Sequence, residues 1–226
     1  FMMIALPNPA GDFTCTLFMP YEQFDSVKTD EEIRNFFSTE FPDAMAMMPT
    51  LVEDYKRNPI GNLVTVKCYP WVKEDKLALA GDAAHAVVPF YGQGMNCSFE
   101  DIVVLDNMIE KYGDDWNTIF DEYQKERKPN ADAIADLAVQ NYYEMADKVG
   151  DKHFLHKKHI EHDLTELYPD KFKSQYALTT FSLSGYKYAW DQGQKNDVLL
   201  EKIIADGAEE KIKDPAYMDQ LWHLIA

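Results

Sequence analysis

The sequence predicts an α/β fold of α+β character that passes into an all-helical C-terminal region. Three observations carry this. Short β-type runs joined by turn residues open the chain. An apolar run at residues 77–80 leads into a glycine-containing loop and a helix. From Asn130 onwards the apolar pattern has helical spacing throughout. Three parts follow: residues 1–75 as a mixed region of sheet and helices, 76–128 as the loop with its helices, and 129–226 as a helical C-terminal domain.

Each element has a local reason. Residues 1–7 and 13–19 are β-type runs separated by Pro9-Ala10-Gly11-Asp12, a hairpin signal. Thr29-Asp30-Glu31-Glu32 is a capping box, in which hydroxyl and carboxylate each take one orphan backbone N–H, ahead of Ile33, Phe36 and Phe37 at helical spacing. A second helix is expected over residues 44–55, ended by Asn58-Pro59, and then an alternating strand over 63–69. Met45, Met47 and Met48 could line an aromatic pocket, but flexible thioethers more often fill core gaps. Residues 77–80 read as a buried strand and 97–105 as a helix. Another helix over 116–127 should stop at Lys128-Pro129, because proline has no N–H for the helical ladder.

Beyond it, Ile134, Leu137, Ala138, Asn141, Tyr142 and Met145 form one stripe along a helix. Asn141 is the anomaly there. A buried amide without a partner would cost a few kcal/mol, so either a neighbouring backbone group or a ligand must satisfy it.

Residues 80–96 read Ala-Gly-Asp-Ala-Ala-His-Ala-Val-Val-Pro-Phe-Tyr-Gly-Gln-Gly-Met-Asn, and this stretch carries most of the functional information. A carboxylate at a strand end followed by glycines at a helix N-terminus can hold a sugar hydroxyl and an anion. Asp82 can accept hydrogen bonds from a polyol. Gly92 and Gly94 let backbone approach a flat ligand, and a helix starting near Met95 aims free N–H groups and a positive dipole end at it. His85 could be mistaken for a general base; its place just past the strand end favours packing.

Gly81-Asp82 followed by Pro89-x-x-Gly92-x-Gly94 resembles the second FAD-binding motif of the aromatic-ring flavin monooxygenases. Within them the chain is most similar to the kynurenine 3-monooxygenase family. Residues 88–96 with Phe99-Glu100-Asp101, the opening residues 1–8 with 13–20, and Asn141-Tyr142-Tyr143-Glu144-Met145 carry the likeness in family order, as far as about Trp190. The resemblance implies part of a p-hydroxybenzoate hydroxylase-like FAD fold, with a substrate-domain sheet and a helical C-terminal region. It implies FAD as cofactor, held by Gly81, Asp82, Pro89, Gly92, Gly94, Met95 and Asn96. It also implies NADPH and O₂ as co-substrates, and conversion of L-kynurenine to 3-hydroxykynurenine through a flavin C4a-hydroperoxide. Asn141 and Tyr176 match family positions that contact the substrate's amino-acid carboxylate. Phe90, Tyr91 and Gln93 would shape the aromatic pocket. No residue is expected to act as a protein acid, base or nucleophile, and no metal is expected.

The family's Gly-x-Gly-x-x-Gly fingerprint does not occur in these 226 residues. The expectation is therefore a C-terminal half whose partner is an N-terminal half of the same enzyme, inactive by itself. A net charge of −17 argues against nucleic acid and anionic membranes. Cys15, Cys68 and Cys97 show neither disulfide nor zinc spacing. No stretch approaches the roughly 18 apolar residues that span a bilayer, and a cytoplasmic location is expected. His153, His156, His159 and His162 recur every third residue, so each step turns the side chain back by roughly 60° and the four spiral apart. Two other readings stand beside this one: another flavin-dependent hydroxylase acting on an anthranilate or hydroxybenzoate, and a non-enzymatic acidic helical interaction module.

Overall fold

Alternating residues at the start of the chain pair as an antiparallel hairpin. Strand β1 (Met2–Pro7) runs against β2 (Phe13–Phe18), with Met2 opposite Phe18 and Pro7 opposite Phe13. Gly11, at φ +82°, turns the connection, and the Asn8 N–H donates to the Asp12 carbonyl at 2.8 Å. All residues from 1 to 226 are described in this computed structural model. They divide into two compact units, Phe1–Asn62 and Leu63–Ala226.

In the first unit, α1 (Tyr21–Asp25) precedes α2 (Asp30–Glu40). The predicted capping box is formed: the Glu32 N–H donates to Thr29 Oγ1 at 3.2 Å, and the Thr29 N–H donates to the Glu32 carboxylate at 2.8 Å. The single helix expected over 44–55 is instead two, α3 (Pro42–Met45) and α4 (Leu51–Arg57). Pro49 explains the break, since it lacks an N–H and disfavours helical backbone at Met48. Val27, Ile33, Phe37 and Leu51 make the core; Met45 and Met48 pack against it, while Met47 is exposed. Two of the three methionines are therefore core filling.

In the second unit the strand expected over 63–69 does not form. Leu63 and Val64 are exposed, and the Val66 N–H, donating to the Ala86 carbonyl at 2.8 Å, is one isolated bond rather than a ladder. The buried strand expected at 77–80 shortens to β4 (Leu77–Ala78), antiparallel to β3 (Val72–Lys73), with Leu77 half exposed. Alternation sets which face a strand presents, but a strand also needs a partner ladder, and residues 63–69 belong to neither sheet.

Helix α5 (Gly94–Tyr112) begins where the motif predicts. Helix α6 (Trp116–Tyr143) departs from expectation by running through Pro129. An interior proline costs about 3 kcal/mol. Ile119, Tyr123, Ile134 and Leu137, on either side of it, are each fully buried, and each such side chain contributes roughly 1.5–3 kcal/mol. Burial on both flanks outweighs the lost ladder bond.

A π-helical turn, Glu144–Lys148, follows α6, then α7 (Lys152–Leu167), α8 (Gln175–Phe181), α9 (Tyr186–Ala205) and α10 (Pro215–Asp219). Ile160 and Leu164 of α7, Leu199 and Ile203 of α9, and the C-terminal Ile212, Met218 and Leu221 share one core. The four histidines on α7 do not converge. Each lies beside a different carboxylate: His153 by Glu201, His156 by Glu209, His159 by Asp163 and His162 by Glu166. No helix is long and apolar enough to cross a membrane.

Candidate functional site

After β4 the chain makes a tight turn over Gly81–Ala83, and a second over Pro89–Tyr91, before α5 begins. Gly81 (φ +59°) and Gly92 (φ +67°) both have left-handed backbone, which is why the sequence needs glycine there. A side chain at Gly81 would also press on Ser98 Oγ at 3.2 Å. Between the turns and the first residues of α5 lies a cavity of about 490 Å³ lined by Asp82, Val87, Pro89, Gly92, Gly94, Met95 and Ser98. Five of the seven residues predicted around the flavin therefore share one cavity wall. Gly81 lies behind Asp82, and Asn96 turns aside to donate to Gln93 Oε1 at 2.9 Å.

Two features give the cavity its chemistry. Asp82 is exposed at its rim. No side chain caps the N-terminus of α5, so its first N–H groups remain available to an acceptor or anion.

Beneath the turn sits a buried network that sequence reasoning missed. Asp101, on α5, is 0% exposed. Its Oδ2 accepts the Gly81 N–H at 2.8 Å and the His85 Nε2–H at 2.6 Å; its Oδ1 accepts Arg127 Nε–H at 2.8 Å. Arg127, also buried, donates further to the Glu100 carboxylate at 2.8 Å and the Cys97 carbonyl at 3.1 Å. Burial opposes ionisation of Asp101, but the bonds from His85, Arg127 and the Gly81 N–H together overcome it and hold the carboxyl below its ordinary range. Burial pushes the Cys97 thiol up to about 12. His85, Cys97 and Asp101 bring ligand-type atoms within 4.8 Å of one another. They do not make a cation site, because the Arg127 guanidinium already fills that role, 3.3 Å from Cys97 Sγ, and the thiol is protonated.

The predicted substrate residues gather on the second turn. Asn141 Nδ2 donates to the Phe90 carbonyl at 2.8 Å, so the structural alternative for this amide is realised. The Phe90 ring lies 4.8 Å from that of Tyr142. Tyr91 stacks on Tyr176 at 5.8 Å. Burial, then the charge of Glu144, keeps the Tyr91 phenol protonated well above its usual range. Tyr176 is half exposed. Gln93 is buried, and its Oε1 accepts from Asn96 and from the Tyr186 hydroxyl at 3.2 Å, so this oxygen serves the interior.

A protein-family model described as "FAD binding domain" matches residues 14–138, more than half of the chain. The chain belongs to this family. The FAD binding domain match takes in both turns, the whole of α5 and the Arg127 region of α6. Curated relatives agree. The chain is 47% identical, over its full length, to a kynurenine 3-monooxygenase of Flavobacterium johnsoniae, of which it covers 51%. It is 45% identical over 98% of its length to that of Dictyostelium discoideum, covering 52% of it. With the kynurenine 3-monooxygenase of Myxococcus xanthus it shares 46% identity over 90% of its length, covering 44%. The chain thus spans about half the length of these relatives. The residues present fit the cofactor of an FAD binding domain: a carboxylate at the cavity rim suits a polyol, and an uncapped helix end suits the electron-rich edge of a flavin.

Proposed function

We propose that this chain is the flavin-side and substrate-side portion of a monooxygenase that hydroxylates L-kynurenine to 3-hydroxykynurenine. The observation that carries the proposal is the cavity lined by Asp82, Pro89, Gly92, Gly94 and Met95, in a chain so similar to named kynurenine 3-monooxygenases. When bound, FAD would supply the oxygen-activating chemistry, with NADPH as the proposed reductant. The chain's own residues supply position. Asp82 would accept hydrogen bonds from the cofactor's polyol, the uncapped α5 N-terminus would offer N–H groups to its electron-rich edge, and the turn of residues 89–92 would help to hold it.

For the substrate, Tyr176 and Asn141 are the proposed donors to the amino-acid carboxylate. Asn141 Nδ2 donates to the Phe90 carbonyl and, at 3.5 Å, to Met145 Sδ; a thioether is a weak acceptor, and a carboxylate would take that second N–H in its place. Phe90 and Tyr91 form the aromatic wall. No side chain needs to act as acid or base, and a cytoplasmic location is part of the reading.

We also propose that the remaining half of the relatives' length packs on this one. Met95, Phe99, Ile102 and Val103 form an exposed apolar stripe on α5, wider than a solvated helix face carries.

The test is direct. The FAD-loaded holoenzyme should oxidise NADPH in the presence of L-kynurenine and yield 3-hydroxykynurenine by mass spectrometry. The 226-residue chain alone should lose FAD on gel filtration. Turnover of anthranilate or hydroxybenzoate in preference to L-kynurenine would replace the substrate assignment. A full-length protein that is colourless as purified and takes up no added FAD would favour the interaction module.

A further inference from the structure

We propose that Asp101 is the positioning residue for the cofactor carboxylate Asp82, acting through the turn that carries it. One oxygen of Asp101 holds both ends of that turn. Oδ2 accepts the backbone N–H of Gly81 at its start and the ring N–H of His85 at its end, at 2.8 and 2.6 Å. Within the turn the Gly81 carbonyl accepts the N–H groups of Ala84 and His85, at 2.8 and 3.0 Å. The Gly81 peptide is thus fixed from both sides, and Asp82, the next residue, is aimed outward at the cavity.

The other oxygen sets the clamp's direction. Arg127 Nε–H on Asp101 Oδ1 prevents the carboxylate from rotating away, and Arg127 is itself anchored on α5 through Glu100 and the Cys97 carbonyl. The arrangement spends two fully desolvated charges where a well-packed apolar pair would serve stability as well or better. Nothing in the packing requires a carboxylate at this position; the turn does, because an anion is the acceptor that can take an amide and an imidazole N–H on one oxygen and a guanidinium on the other.

This inference rests on the reading of the Asp82 cavity as the flavin site, and a double-mutant cycle in FAD affinity tests the two separately. The holoenzyme is stripped of FAD and retitrated with FAD by flavin fluorescence, as the unsubstituted protein, Asp101→Asn, Asp82→Asn and the pair. Asp101→Asn should weaken FAD binding by about tenfold or more, and Asp82→Asn should then add little, because both changes remove the same contact. A purely structural role for Asp101 gives losses that multiply. Should Asp101→Asn fail to fold, Arg127→Lys keeps both charges but frees the carboxylate to rotate; it should weaken FAD binding and show the same non-additivity with Asp82→Asn. Multiplying losses, or unchanged affinity in a folded variant, overturn the positioning role alone. An unsubstituted protein that takes up no FAD overturns the flavin reading and this inference with it.

Discussion

The Asn141 side chain donates to the Phe90 carbonyl at 2.8 Å, and so ties the C-terminal end of α6 to the turn beside the cavity. Tyr176 reaches the same turn from α8 by stacking on Tyr91. Two residues 35 positions apart thus act on consecutive positions of one four-residue loop.

Asn141→Ala should remove the amide's bond to the Phe90 carbonyl and cost roughly 0.5–1.5 kcal/mol of stability. Urea unfolding at neutral pH measures this. If the midpoint does not move, the bond contributes nothing and the amide is free to serve a ligand alone.

Tyr176→Phe preserves the stacked ring and removes only the hydroxyl. In the holoenzyme, kcat/KM for L-kynurenine should fall by a factor corresponding to roughly 1.5–3 kcal/mol. An analogue lacking the carboxylate should react slowly with both proteins and be indifferent to the substitution. Equal slowing of both compounds would make Tyr176 a packing residue.

The cysteines should differ sharply in reactivity. Cys97 is fully buried with its pKa pushed up to about 12, whereas Cys15 is exposed. Iodoacetamide at pH 8 should label Cys15 in the folded protein and spare Cys97, read by peptide mass spectrometry. The linkage has a sign. An unfolded thiol ionises near about pH 8.5 and the folded one near 12, so unfolding becomes easier as pH rises through that window. Cys97→Ala should remove this part of the alkaline loss.

Asp101 gives the opposite pH dependence. Its folded pKa is depressed, so its contribution is complete above the unfolded value of about 3.9 and disappears as pH falls through the folded value. Removing one member of a buried ion pair costs about 3–5 kcal/mol. Asp101→Asn should therefore be destabilised by that order at pH 7 in denaturant titrations, with the gap to the unsubstituted protein closing below about pH 4. A gap that is the same at pH 7 and pH 3 would show that the carboxylate's charge is not what stabilises the fold.

Much was legible in the sequence because it depends on near neighbours. The Thr29–Glu32 capping box, the hairpin turn at Gly11 and the start of α5 are decided within a few residues, and all appear where the pattern puts them. The Gly81-Asp82 and Pro89-x-x-Gly92-x-Gly94 motif is local in the same sense, and Asp82, Pro89, Gly92, Gly94 and Met95, close in sequence, line one cavity.

The sequence by itself determined these local choices and the family. Only the tertiary structure decided the remainder. Burial on both flanks carried α6 through Pro129 against its local preference. Residues 63–69 stayed unpaired because strand pattern does not supply a partner edge. Asp101, His85 and Arg127 carry no common spacing: 16 and 26 positions separate the partners of their bonds to Asp101. Charges buried together are chosen by where helices cross, and that information is held in the packing of α5 on α6 rather than in either segment.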